Sequence, residues 1–379
     1  MNSPFWIWQQ PGWPTFTWQN ESITPLLRHC VDLQGRLLGK IAGVDELSEC
    51  QNILDTLLQN IVTSSAIEGE QLNVGSVRSS LARRLGIHEQ GPTTVRSEGL
   101  AELMLDATQG YDHPLSLQRL FTWHRWLFPE APEGVSKAVL VGQLRDEVPM
   151  QVISGRIDRP TVHFEAPPRD GLEEQMAIFL DWFAKSRDAT DLDPLLRAGI
   201  AHFWFVTLHP FDDGNGRLTR ALTDLALAQG ERQAIRFYAM STSILEDRAG
   251  YYQVLESSQK GDLDITRWLV WFLATLLNSL EQALARIDRV LSKARFWNAH
   301  RADGLLPEQV KVLNRLLDGG PRGFEEGINA AQYQAVAKVS KATATRHLTD
   351  LLEKACLVRL PGGGRSTRYQ INVQDVSSG

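Results

Sequence analysis

Apolar positions recur three and four residues apart through most of the chain, the period of a helix with one buried face. Residues 26–42 and 47–67 are predicted helices on this pattern. In the second, Ile53, Leu54, Leu57, Leu58, Ile61 and Val62 form one stripe, and Gly69 is a natural stop. Residues 74–85, 96–108 and 117–127 follow, the last with a His124 that reads as a packed or surface histidine rather than a ligand. Leu172, Met176, Phe179, Leu180 and Phe183 mark another amphipathic helix. Residues 193–208 are almost wholly apolar, and 268–291 make a long helix. The pattern breaks over 144–162, where Val148, Val152, Ile153, Ile157 and Val162 are interspersed with Gly155 and charges. That predicts a short β-hairpin, ended by Pro167-Pro168. Ahead of the first helix, Trp6, Trp8, Trp13 and Trp18 are broken by Pro11, Gly12 and Pro14, which predicts an extended strap packed on a core.

A separate pattern begins near Arg301. Helices are predicted over 306–317, 329–336 and 341–354, then strands at 356–360 and 368–371 about a Pro-Gly-Gly-Gly turn. Helix–turn–helix followed by a hairpin is a winged helix. The expected fold is mainly α: a helical core with a small β-hairpin, plus a C-terminal winged helix-turn-helix domain, in regions 1–95, 96–295 and 301–379.

A chain of 379 residues has room for two or three domains. The net charge of −6 argues against a surface that coats nucleic acid throughout. Residues 301–379 carry 11 Lys/Arg against 8 Asp/Glu, net +3, so the preceding residues carry −9. Cys30, Cys50 and Cys356 are far apart, which gives no disulfide framework and suits a reducing, cytoplasmic location. Residues 1–18 have no basic start or continuous apolar core, so no signal peptide is expected. The longest apolar run, 268–277, is too short for a bilayer, which needs about 20 residues, so no membrane contact is expected.

The densest chemistry lies in His209-Pro210-Phe211-Asp212-Asp213-Gly214-Asn215-Gly216-Arg217-Leu218-Thr219-Arg220, between two apolar helical runs. Gly214 and Gly216 permit backbone angles closed to other residues and let a ligand approach the main chain. The helix that follows points free N–H groups and its positive dipole end into the loop, a ready phosphate site. Arg217 can grip phosphate oxygens with its planar fork, and Arg220 lies on a neighbouring part of the same face. Asp213 suits a Mg²⁺ shared with phosphates. His209 can take a proton from an attacking hydroxyl. Together these types describe phosphate-transfer chemistry. No Gly-Lys-Ser/Thr follows, so this is not a Walker loop.

The stretch resembles the Fic-family motif, His-x-Phe-x-Asp/Glu-Gly-Asn-Gly-Arg-x-x-Arg, at every defined position. The resemblance implies a transferase moving AMP from ATP to a Ser, Thr or Tyr hydroxyl of a target protein or of itself. His209 would be the base and Asp213 the Mg²⁺ ligand. The backbone of Gly214, Asn215 and Gly216 would cradle phosphates, Arg217 and Arg220 would bind the triphosphate, and Phe211 would anchor the loop. Ser64-x-x-x-Glu68-Gly69 resembles the family's inhibitory motif. By that resemblance Glu68 pairs with Arg220, the arginine meant for the γ-phosphate. The hairpin would be a flap over the site, holding the target by added-strand pairing with Val162, His163 and Phe164 as clamp. Tyr251 and Tyr252 would line the adenosine pocket.

Two alternatives stand beside this. One is a nucleotide-sensing transcription regulator reading DNA through 329–371, with Ser340, Lys341, Thr343, Thr345, Arg346 and His347 on the third helix and Arg359, Arg365 and Arg368 in the wing. The other is removal of AMP with Glu68 positioning water. A homodimer is an expected way to bury or release the inhibitory helix.

Overall fold

The computed structural model describes residues 6–41, 46–88, 91–129, 139–156, 159–233, 237–319, 324, 326–361 and 367–372. Two compact units divide the chain: residues 1–36 with 46–283, and residues 37–45 with 284–379.

The first unit opens on a short turn, Ile7–Gln9, then α1 (Asn20–Ile41), α2 (Glu46–Ile67), α3 (Val74–Arg84), α4 (Val95–Gln109) and α5 (Leu117–Leu127). The hairpin β1 (Gln151–Arg156) and β2 (Arg159–Glu165) follows, then α6 (Leu172–Lys185), α7 (Pro194–Leu208), α8 (Asn215–Glu231), α9 (Met240–Glu246), α10 (Arg248–Gln259) and α11 (Thr266–Ala299). The unit boundaries fall within α1 and α11. Every residue of α7 from Leu195 to Leu208 is buried, and α8, packed against it, buries nearly its whole circumference. Helices apolar all round belong at the centre of a fold. Pro194 and the Asp193 side chain, which accepts from the Leu195 N–H at 2.8 Å, fix the start of α7. α2 packs on α3, α4, α8 and α9, which brings its C-terminal turn beside α8.

The tryptophan strap does pack on this core. Trp6 meets Phe164 edge-on at 5.4 Å, and Phe16 meets Phe203 and Trp204. Thr17 exchanges backbone hydrogen bonds with Leu263 and Ile265.

Three boundaries differ from the sequence expectation. α1 starts at Asn20, six residues before 26, with Pro25 inside it despite the backbone bond that proline removes. The hairpin covers 151–165 rather than 144–162. The stretch before it instead carries a buried Arg145, whose N–H donates to the Pro210 carbonyl at 3.0 Å. α11 runs past 291 because Phe296 enters the core of the second unit.

The second unit holds α12 (Pro307–Asp318), α13 (Ala330–Ala337) and α14 (Lys341–Glu353), then β3 (Leu357–Arg359) antiparallel to β4 (Tyr369–Ile371). Val312, Leu313, Tyr333, Leu348 and Leu351 form its core with Phe296. Ser340 caps α14 by accepting from the Thr343 N–H. His347 departs from expectation: it is buried and hydrogen-bonded to the Tyr333 hydroxyl at 3.0 Å, so it is a core partner. Lys341, Thr345 and Arg346 are exposed. Arg368 donates to the Gly327 carbonyl and Arg359 lies over the Tyr369 ring. Arg365 lies outside the described residues. The three cysteines are free. Among the described residues no helix is long and apolar enough to cross a membrane.

Candidate active site

His209 ends α7 in the left-handed region, φ 49° and ψ 55°. Its Nδ1 lies 3.1 Å from the Val206 carbonyl. A carbonyl only accepts, so Nδ1 holds the proton and the Nε2 lone pair is free. Burial holds its pKa below the ordinary histidine value, so the ring is neutral near pH 7, the form a base needs. Arg145, 2% exposed, donates from Nε to the His209 carbonyl at 3.0 Å and from Nη2 to the Pro167 carbonyl.

Phe211 is fully buried and stacks flat on His124, centroids 4.4 Å apart. The Asn215 side chain donates to the Phe211 carbonyl at 2.7 Å and accepts from its N–H at 3.0 Å, which closes the loop on itself. Gly214 has φ +80°, and a Cβ there would sit 2.6 Å from Leu127 Cδ2, so the turn requires glycine. His124 Nδ1 accepts from the Gly142 N–H at 2.9 Å, which puts its proton on Nε2, donated to the Asp213 carbonyl at 3.1 Å. Burial holds this ring neutral as well.

The arginines of α8 are buried, Arg217 to 8% and Arg220 to 3% exposure. Arg217 Nε and Arg220 Nη1 have no hydrogen-bond partner among the described residues. Buried cationic donors without partners fit an incoming anion such as a phosphate. Arg220 donates from Nε to Ser64 Oγ, and from Nη2 to the Ser64 carbonyl and Glu68 Oε1, each at 2.8 Å. Glu68 lies against the first turn of α8: a Cβ on Gly216 would be 2.1 Å from its Oε1. Burial pushes the Glu68 carboxyl up, but the charge and hydrogen bond of Arg220, with Arg217 and Tyr252, outweigh it and hold it below the usual range. Gly69, φ +81°, then turns the chain.

Glu68, His209, Asp213, Gly216, Tyr252 and the hairpin's Ile153 are among the residues lining a cleft of about 670 Å³, a size usual for small-molecule sites, whereas Ser64, Arg217 and Arg220 line a second, much smaller cavity. Tyr251 also lines the larger cleft, but its hydroxyl is 3.0 Å from buried His202 Nε2. Arg248 lies over the Tyr252 ring. The three flap residues divide. Val162 and Phe164 pack with Trp6. His163, the extra residue at a bulge, reaches Glu256 at 2.7 Å and also contacts Ser154. Asp213 is 58% exposed, and among the described residues the only three-donor metal cluster lies elsewhere, at His300, Asp303 and Cys356. A single exposed carboxylate suits a Mg²⁺ that keeps its waters and shares phosphate oxygens.

Residues 114–227 match the model of the Fic/DOC family, and residues 6–87 match a domain of unknown function, DUF4172. Residues 114–227 form a Fic/DOC-family domain. The chain is 27% identical over 214 residues to protein adenylyltransferase fic-1 of Caenorhabditis briggsae, a match spanning 55% of this chain and 38% of that protein. To protein adenylyltransferase Fic of Nematostella vectensis it is 27% identical over 222 residues, 56% and 45% of the two chains. These matches thus span less than half the length of the relatives. A Fic family protein of Desulfovibrio desulfuricans shares the fold, with TM-score 0.52 at 21% identity over 96% of this chain and 98% of that one.

The Fic-domain loop motif and the Ser64–Glu68 segment, over 140 positions apart in sequence, meet at Arg220. Sequence reasoning missed Arg145 and Glu70 at the site, and of His124 it anticipated the packing but not the bond to the loop. Arg145 and His124 clamp the loop backbone, and Glu70 pairs with Arg217. Nothing local distinguishes them; each acts on a segment brought close by folding.

Proposed function

We propose that this chain transfers AMP from ATP to a protein hydroxyl, and that Glu68 inhibits it in cis. The carrying observation is the placement of Glu68's carboxylate on Gly216 and Arg220, where an incoming phosphate would need the same donors. In the transfer, the target hydroxyl oxygen bonds to the α-phosphorus, its proton goes to His209 Nε2, and pyrophosphate leaves. A Mg²⁺ at Asp213 would neutralise phosphate charge. Asn215 and Arg145 hold the loop that aims His209. The free edges of the β1–β2 pair, with exposed Ile153, suit strand addition by a target segment. The test is transfer from α-labelled ATP by Glu68→Gly. Label that vanishes in Glu68→Gly/His209→Ala supports the reading; label independent of His209 refutes it.

The lowered His209 pKa sets a pH profile. Rate needs the neutral ring and falls as pH drops through that pKa, so transfer by Glu68→Gly should hold below pH 6.5, the ordinary histidine value. A midpoint above 6.5 would contradict this assignment.

We read the second unit as a winged helix whose α14 presents Lys341, Thr345 and Arg346 to a phosphate backbone. Retention of duplex DNA that weakens with salt and is lost in Lys341→Glu/Arg346→Glu supports it; salt-independent retention, or none, opposes it.

A further inference from the structure

Two residues beyond Glu68, the same helix end carries a second carboxylate with different surroundings. Glu70 Oε2 accepts from Arg217 Nη1 at 2.7 Å, and its other oxygen pairs with Arg96 on α4. Glu68 lines the nucleotide-sized cleft; among the described lining residues neither Glu70 nor Arg217 figures, and Arg217 instead lines a small cavity with Ser64 and Arg220. Glu68 lies over Gly216, whereas Glu70 holds one edge of the Arg217 guanidinium. The Phe128 ring lies 5.1 Å from that guanidinium, and Arg217 Nε stays without a partner. Glu70's single charge is shared between Arg217 and Arg96, while Asp213 Oδ1 lies 3.6 Å from Arg217 Nη2, a carboxylate that a Mg²⁺ would draw away. A long arginine held before binding loses less rotamer freedom when it binds.

We propose that Glu70, steadied by Arg96, is a positioning residue that aims Arg217 at the phosphates of the nucleotide, so that one helix end carries both a brake, Glu68, and a guide, Glu70. This rests on the cleft being an ATP site. Because Glu70 acts through Arg217, its effect follows phosphate rather than the whole nucleotide.

The experiment is calorimetric binding of ATP and of adenosine to the full chain bearing Glu68→Gly, with and without Glu70→Gln. The expected result is ATP binding weakened about tenfold, as for loss of one charge-assisted hydrogen bond, with adenosine binding unchanged. Arg96→Gln in the same background should weaken ATP binding in the same direction by a smaller factor, and it decides the matter if Glu70→Gln does not fold. ATP binding unchanged or tightened would overturn the proposal, the latter making Glu70 a second brake. Equal loss of ATP and adenosine would also overturn it, as general damage. If Glu68→Gly alone binds no ATP while binding adenosine or neither, the underlying reading of the cleft fails instead.

Discussion

Replacing Glu68 by glycine is expected to raise AMP transfer about 10- to 100-fold. A hydrogen bond between charged groups contributes about 1.5–3 kcal/mol, and about 1.4 kcal/mol is a factor of ten. The pair is well placed to reach that range, since the Arg220 side chain is 2% exposed and the Glu68 side chain 31%. Two effects act together in wild type: Arg220 is occupied, and a negative charge lies on the turn that would receive phosphate. Glycine removes both without adding atoms. Ser64 keeps its two bonds to Arg220, so the arginine stays aimed. Because the Glu68 carboxyl is held below its ordinary value, its ionised pairing persists above that lowered value and is lost only as pH falls through it. Mild acidification therefore leaves wild type inhibited. Single-turnover transfer at saturating ATP-Mg²⁺ checks this; equal rates for wild type and variant would sink the inhibitory role.

The second large effect is expected at Arg145. In the Glu68→Gly background, Arg145→Lys should cut kcat about 100-fold, the scale of an ångström-level misplacement of a catalytic group, while ATP affinity changes less than about threefold. Arginine's fork serves the His209 and Pro167 carbonyls at once. Lysine keeps the charge but is a single flexible point and cannot hold both in one geometry. His209 is held in a left-handed conformation that a non-glycine residue adopts at a cost, so it depends on such restraint. A loss of ATP affinity matching the loss of kcat would show that Arg145 shapes the phosphate cradle instead.

The flap and the second unit show where sequence patterns stopped short. The hairpin was legible as a break in helical period, yet its register slips beside His163 and its position moved by several residues, because alternation is weak in a two-stranded pair with few buried positions. His347 lies on α14 among polar residues, yet it is buried and bonded to the Tyr333 hydroxyl of α13.

By itself the sequence determined the helical fold class, through its 3.6-residue apolar period, and the chemistry of the loop, because His209, Asp213, the glycines and the arginines lie within one turn-and-helix segment. Local spacing suffices for both. Only tertiary structure decided what stands around that loop. Glu70 reaches Arg217 on α8 from a segment about 150 residues earlier, beside the Glu68 whose pairing with Arg220 the motif resemblance had already implied. His124 and Arg145 reach the loop's carbonyls from segments with no periodic relation to it. Such contacts depend on how whole helices pack, and packing leaves no mark in residue spacing along a single chain.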